Sequence, residues 1–200
     1  MPAGLIKLRN DLDILEAMTA ELESYLRSSV LFWPMDSATM PRLTLGGFWL
    51  RYHRLQALRS LLSAPEQQRV AAASAQYAQI AAENVVRIER KAHTEVDARL
   101  RLWRTYLNDV RQNYEAHIPS YPTAVEARAI LQAQMAALRE PPYALARIVV
   151  QRVRQIDSIL KARWQTGEFV WPDAWQPAYP QEAYWWLYGR PKRPPKSDDW

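Results

Sequence analysis

From Glu66 to Ile118 the chain contains neither proline nor glycine, and no other feature constrains its fold as much. An apolar line of Val70, Tyr77, Ile80, Val85, Ile88, Ala92, Val96, Leu100, Trp103, Leu107, Val110 and Tyr114 keeps helical phase through the whole stretch. Opposite it lie Glu83, Arg87, Thr94, Asp97, Arg101, Asn108 and Arg111, a polar face of both signs. The pattern predicts one helix over 66–117, about 80 Å long at about 1.5 Å per residue. A compact chain of 200 residues has a radius of gyration near ~16 Å, hence a diameter of roughly 40 Å. The molecule is therefore either elongated around a spine or bent here without a breaker residue, and the unbroken polar face favours the spine.

Leu5, Leu8, Leu12, Leu15, Leu22 and Leu26, with Met18 and Thr19 between them, form a stripe that predicts an amphipathic helix over 5–28. The stripe serves either the core of a bundle or a coiled coil with a second copy. Pro34, Pro41 and the Gly46-Gly47 pair interrupt the helical pattern, and the loop between them, with Phe32, Trp33, Met35 and Leu43, is expected to plug one end of the bundle. A second helix follows over 47–63, stopped by Pro65. After the spine, Thr123 and Glu126 have capping-box spacing and open a helix over 123–139. Pro141-Pro142 break it, and a helix over 143–165 runs to Gly167 as its C-terminal cap. A short helix over 180–188, capped by Gly189, completes a single helical domain over 1–189. Residues 190–200 form a flexible basic, proline-rich tail. The predicted fold class is all-α: an elongated antiparallel helical bundle built on one long central helix, with an irregular Trp/Pro-rich C-terminal segment packed on it.

Several function classes are excluded or disfavoured by composition. There is no cysteine, which excludes disulfides and thiolate metal sites, and with only three histidines a zinc enzyme is not expected. Neither a serine elbow nor a phosphate-cradling glycine loop is present. Acids by residue 11 and the lack of a long apolar run argue against a leader or a spanning segment, so no membrane association and a cytoplasmic location are expected. No cofactor is implied. The net charge is +5, carried by 21 arginines and 5 lysines, a balance that permits an anionic partner without requiring one.

Four constellations remain. Arg147, Arg154 and Lys161 recur at heptad spacing on the fifth helix, with Arg152 and Arg163 on an adjoining face and Asp157 as the only acid, a row suited to successive phosphates although solvated bundle surfaces routinely carry such rows. Gly46, Gly47, Arg51, His53 and Arg54 gather backbone amides and basic side chains at the start of the second helix, either to hold a small anion or, as is favoured, with the arginines paired to acids of the first helix and the histidine satisfied within the fold. Trp171, Trp175, Trp185 and Trp186 either cover the bundle or form a surface for a protein partner. Glu89, His93 and Asp97 share one helical row with metal-ligand chemistry, although that spacing also suits ordinary surface pairing.

The leading reading is a non-enzymatic helical interaction or scaffold protein that binds a protein partner or self-associates. The alternative is a nucleic-acid (polyanion) binding module using Arg147, Arg154, Lys161 and the tail. A third is a small-anion binder or enzyme around Gly46, Arg51 and His53.

Overall fold

The computed structural model describes residues 3–37 and 39–194. In chain order the helices are α1 (Ala3–Arg27), α2 (Leu45–Ala57), α3 (Ala64–Glu83), α4 (Val85–Gln112), α5 (Tyr114–His117), α6 (Tyr121–Ala124), α7 (Glu126–Arg139) and α8 (Arg147–Lys161). Strands β1 (Trp164–Phe169) and β2 (Tyr188–Pro191) follow, with short 3-10 turns between them at Asp173–Ala178 and Trp185–Leu187. The fold is mostly helical, with an irregular C-terminal segment laid on the bundle. No described helix is long and apolar enough to cross a membrane.

The leucine stripe of α1 is used inside the chain: Leu8, Leu12, Leu15, Met18 and Leu22 are fully buried. That stripe is therefore spent on the intrachain core. Helix α3 lies parallel to α1, since Arg9 pairs with Glu66 while Asp13 and Glu16 pair with Arg69 further along both helices. Helix α2 runs against α3, with Gln56 bonded to Ser74 and Trp49 to Tyr77. In the other half α4 and α8 run in the same direction, because Asp97 meets Arg152 while Leu107 and Arg111 meet Ile159 and Arg163.

The predicted spine is two helices, and the break falls on Asn84, a residue the apolar periodicity passes over. In a continuous helix the Asn84 amide would donate to the Ile80 carbonyl. Here its side-chain Nδ2 donates to that carbonyl at 2.9 Å, and its backbone N–H donates to Ala81 instead. Asparagine competes with its own helix in this way because its short amide reaches neighbouring backbone groups. The second end of the expected spine is also an asparagine: Asn113 closes α4, and its Oδ1 accepts from Ala116 to open α5.

Several element ends differ from expectation for local reasons. The second helix begins earlier, at Leu45, because Thr44 caps it by accepting from the Gly47 amide at 3.0 Å. It also ends earlier, at Ala57, and a 3-10 turn over Arg59–Leu61 leads to α3. Thr123 lies inside α6, so the capping box expected at Thr123 and Glu126 does not form. That device stands instead at the start of α3, where Glu66 accepts from the Ser63 amide at 2.7 Å. Helix α8 stops at Lys161, and Trp164–Phe169 pairs with β2 as an antiparallel ladder in which Thr166 faces Gly189. Gly167 and Gly189 thus belong to the two paired strands and cap no helix. At Gly189, with φ of +136°, a Cβ would come within 2.1 Å of the Gln165 carbonyl oxygen. No helix forms over 180–188, which holds the turn at Trp185–Leu187 and the start of β2. Arg190 and Pro191, assigned to the tail, belong to β2, and the Lys192 amide donates to the Arg163 carbonyl. Residues 195–200 of that tail lie outside the described residues.

Lys91, buried on α4, closes the C-terminus of α1. Its Nζ donates to the carbonyls of Tyr25 at 2.6 Å, Ser28 at 3.0 Å and Val30 at 2.8 Å, and lies 3.9 Å from the centre of the Tyr25 ring. A cation is favoured there because the last carbonyls of a helix carry the negative end of its dipole. Burial nevertheless pulls the amine below its ordinary pKa, with Arg90 beside it acting the same way. Lys91→Ala removes the ammonium shared by these carbonyls, leaving Tyr25 with Ser28 as its donor, a loss of about 2–3 kcal/mol. The expected fall in melting temperature is about 4–12 °C for a chain this long. Circular dichroism melting checks this, and an unchanged midpoint would remove Lys91 from the account of α1.

Candidate functional site

The Gly46 amide does meet a carboxylate, and it belongs to the chain itself. Glu95, fully buried on α4, accepts from the Gly46 N–H at 2.8 Å, while the Gly47 N–H donates to Thr44. Arg99, one turn after Glu95, donates to its other oxygen at 3.1 Å and also reaches the Thr44 hydroxyl. The cradle expected for a small external anion is therefore occupied by a carboxylate 49 residues away in sequence. There is also no room for a ligand, since a Cβ on Gly46 would stand 2.4 Å from Ile130 and 2.8 Å from Gln134.

The cations of the same cluster turn elsewhere. Arg51 donates to the Gly47 carbonyl at 3.0 Å and stands 3.3 Å from Asp11. His53 shares a hydrogen bond with the Ala178 carbonyl at 2.9 Å. Arg54, 5 % exposed, pairs with Asp11 through Nη1 and donates from Nε to the Tyr179 hydroxyl at 2.8 Å. Its guanidinium carbon lies 3.8 Å from the centre of the Trp175 ring. Burial opposes the Arg54 charge, but Tyr179 and Asp11 outweigh it and hold the group above its ordinary pKa. His53 and Arg54 thus fasten the C-terminal segment to α1 and α2.

A second node has the same construction. Arg128 on α7 is buried and forks onto Asp157 of α8, with Nε and Nη2 at 3.0 and 2.9 Å from its oxygens. Its guanidinium carbon lies 3.6 Å from the centre of the Trp186 ring. Trp175 and Trp186 are accordingly buried, and neither belongs to a partner surface. Trp171 and Trp185 are half-buried: Trp171 donates to the Pro122 carbonyl, and Trp185 packs edge-on against Trp164 with the Lys161 amine 5.0 Å above it. Pairing of Arg51 and Arg54 with an acid of the first helix is what the sequence favours, and Asp11 is that acid; nothing in the sequence singled out Glu95 or Arg128, because the partner of each lies on a different helix.

The row of Glu89, His93 and Asp97 receives the α7–α8 connection. Glu89 accepts from the Ala144 amide, His93 shares a hydrogen bond with the Ala144 carbonyl, and Asp97 pairs with Arg152. Among the described residues no group of three such side chains is placed to hold a metal ion.

The outer face of α8 keeps its charge. Arg147, Arg154 and Lys161 are all exposed, and the side chain of neither arginine makes a hydrogen bond or ion pair with any described residue. Asp157, the helix's only acid, points inward to Arg128, so no carboxylate of α8 lies on this face. Arg101, Arg104 and Arg111 of the adjoining α4 are exposed as well and were not part of the predicted set. Their signal was present as arginines at helical spacing, but which helix adjoins α8 cannot be read from spacing.

No protein-family model matches the chain, and comparison with curated proteins and with solved structures finds no match to either.

Arg54→Ala strands Asp11 in the interior with only Arg51 near it, and is expected to cost about 3 kcal/mol. That corresponds to a melting temperature lower by about 6–12 °C, which calorimetry checks. Tyr179 gives an independent readout. Burial pushes its hydroxyl up to about 12 although Arg54 opposes the shift, and burial, aided by Tyr114 and opposed by Ser120, raises Tyr106 to about 12 as well. Both folded values exceed the ordinary value of 10.0, so this stability is complete below pH 10 and is lost as pH rises towards 12. Tyrosinate absorbance and helical dichroism should therefore change together in that interval, and ionisation without unfolding would contradict it.

Proposed function

We propose that the protein is a non-catalytic binding protein for a polyanion, nucleic acid by preference, and that α8 carries the contact. The supporting observation is the acid-free outer face on which Arg147, Arg154 and Lys161 stand unopposed while Asp157 is drawn inward. Consecutive cations are seven residues apart, about 10.5 Å along a helix axis. That is the rise of about three phosphates along a strand whose charges repeat every ~3.4 Å. Arg101, Arg104 and Arg111 extend the same field across α4. Half-buried Trp185 beside Lys161 adds an aromatic edge to the row.

The scaffold reading keeps one specific support. Ile148 and Ile159, 50 % and 63 % exposed, lie eleven residues apart on the flank of α8 that turns towards α4, where a protein partner or a second copy could cover them. It draws nothing from Trp175 and Trp186, which are interior.

Fluorescence anisotropy of nuclease-treated protein with labelled single-stranded and duplex oligonucleotides tests the polyanion reading. Binding should weaken by at least about tenfold between about 50 and 200 mM salt. The variant Arg147→Ala/Arg154→Ala/Lys161→Ala should reduce the salt slope by about one per cation removed. Absence of salt-sensitive binding, or a triple variant that binds like the parent, would overturn it. Light scattering addresses the second reading: Ile159→Asp should dissociate a dimer if α8 is a self-association face.

A further inference from the structure

On the α4 flank of α8, away from the row just described, a small pocket of about 180 Å³ opens between α4, α8 and the chain that leaves β2. Its floor is aliphatic: Leu107 and Val110 from α4, Ile159 and Leu160 from α8, closed by Pro191 and Pro194. Around this floor stand Arg111, Arg163 and Lys192, and no acid is among the lining residues. The side chains of these three cations make no hydrogen bond or ion pair with any described residue. The adjacent cation Arg193, by contrast, pairs with Glu115. An apolar hollow rimmed by one sign of charge complements a molecule with an aliphatic end and an anionic end.

We infer that this pocket binds a medium-chain aliphatic carboxylate, with its chain on the Leu107–Val110–Ile159–Leu160 floor and its carboxylate among Arg111, Arg163 and Lys192. The floor carbons offer nothing to the ring donors and acceptors of a nucleobase, which would lose their water partners there without replacement. An alkyl chain loses none. A hollow of about 180 Å³ admits a short alkyl chain. Arginine also suits the head group, since its planar fork matches a carboxylate. The site shares Arg111 with the field across α4 but uses none of the Arg147, Arg154 and Lys161 row, so the two readings are told apart by variants of that row.

Two-dimensional amide NMR of the full chain, titrated with octanoate, butyrate and 1-octanol, tests the assignment. Octanoate should shift the amides of Leu107, Ile159 and Lys192 and bind at least about tenfold more tightly than butyrate, since each fully buried methylene is worth up to about fourfold. 1-Octanol should bind more weakly than octanoate. Arg163→Ala and Ile159→Glu, both at solvent-accessible positions, should weaken octanoate by about fivefold or more, whereas Arg147→Ala should leave it unchanged. Equal binding of octanoate and butyrate would mean charge attraction alone and would overturn the inference. So would shifts that map elsewhere, or no saturable binding below ~10 mM.

Discussion

Two buried arginines hold the structure together across its long-range joints, and both do so in the same way. Arg54 pairs with Asp11 and lies on Trp175; Arg128 forks onto Asp157 and lies on Trp186. Each node therefore joins two helices and one tryptophan of the C-terminal segment. A buried ion pair by itself is close to neutral for stability, because desolvating both charges offsets their attraction. The aromatic face and, at Arg54, the Tyr179 hydroxyl supply the remaining contacts that make these pairs favourable. Lysine could not replace arginine here, since a point charge can neither fork onto a carboxylate nor lie flat on an indole. The C-terminal segment has little regular backbone pairing apart from the β1–β2 ladder, so its attachment rests on such side-chain nodes.

The same joints redistribute charge. Asp11 and Asp157 are withdrawn from the surface to neutralise buried arginines, and Glu95 is withdrawn to complete the N-terminus of α2. Arginines at Arg101, Arg104, Arg111, Arg147 and Arg154 have no such inward partner and stay in solvent. A modest formal charge of +5 thus becomes a local concentration along α4 and α8. Such a field guides anions towards a surface at longer range than any contact. The pocket at the far end of α8 belongs to the same helix pair but adds an aliphatic floor, so it discriminates by a different property.

Much of the helical plan was legible in the sequence. The leucine stripe of α1, the stop at Pro141-Pro142 and the packing role of the aromatic segment all follow from local spacing. The division of the expected spine was not, because asparagine breaks a helix only when its side chain takes the carbonyl its own amide would have used, as at Asn84. Trp164 to Gly167 read as a helix end because the pairing partner of β1 lies beyond eighteen intervening positions, at Tyr188–Pro191. At Gly46 the anion-binding geometry was readable, yet the anion itself, Glu95, lies on another helix. The row on α8 was visible as heptad spacing, and its lack of an opposing acid depended on where Asp157 turned.

By itself the sequence determined the class of fold, the apolar faces of α1 and α4, the cationic face of α8 and the chemistry that cannot occur without cysteine. These are properties of composition and of spacing within one helix, and the periodicity of the backbone carries them. Tertiary structure decided which charges cancel. Asp11, Glu95 and Asp157 each found a partner on another element, while Arg147 and Arg154 did not. That outcome depends on how helices cross, because an ion pair requires two side chains within about 4 Å, a distance that no spacing along a single helix specifies between different helices.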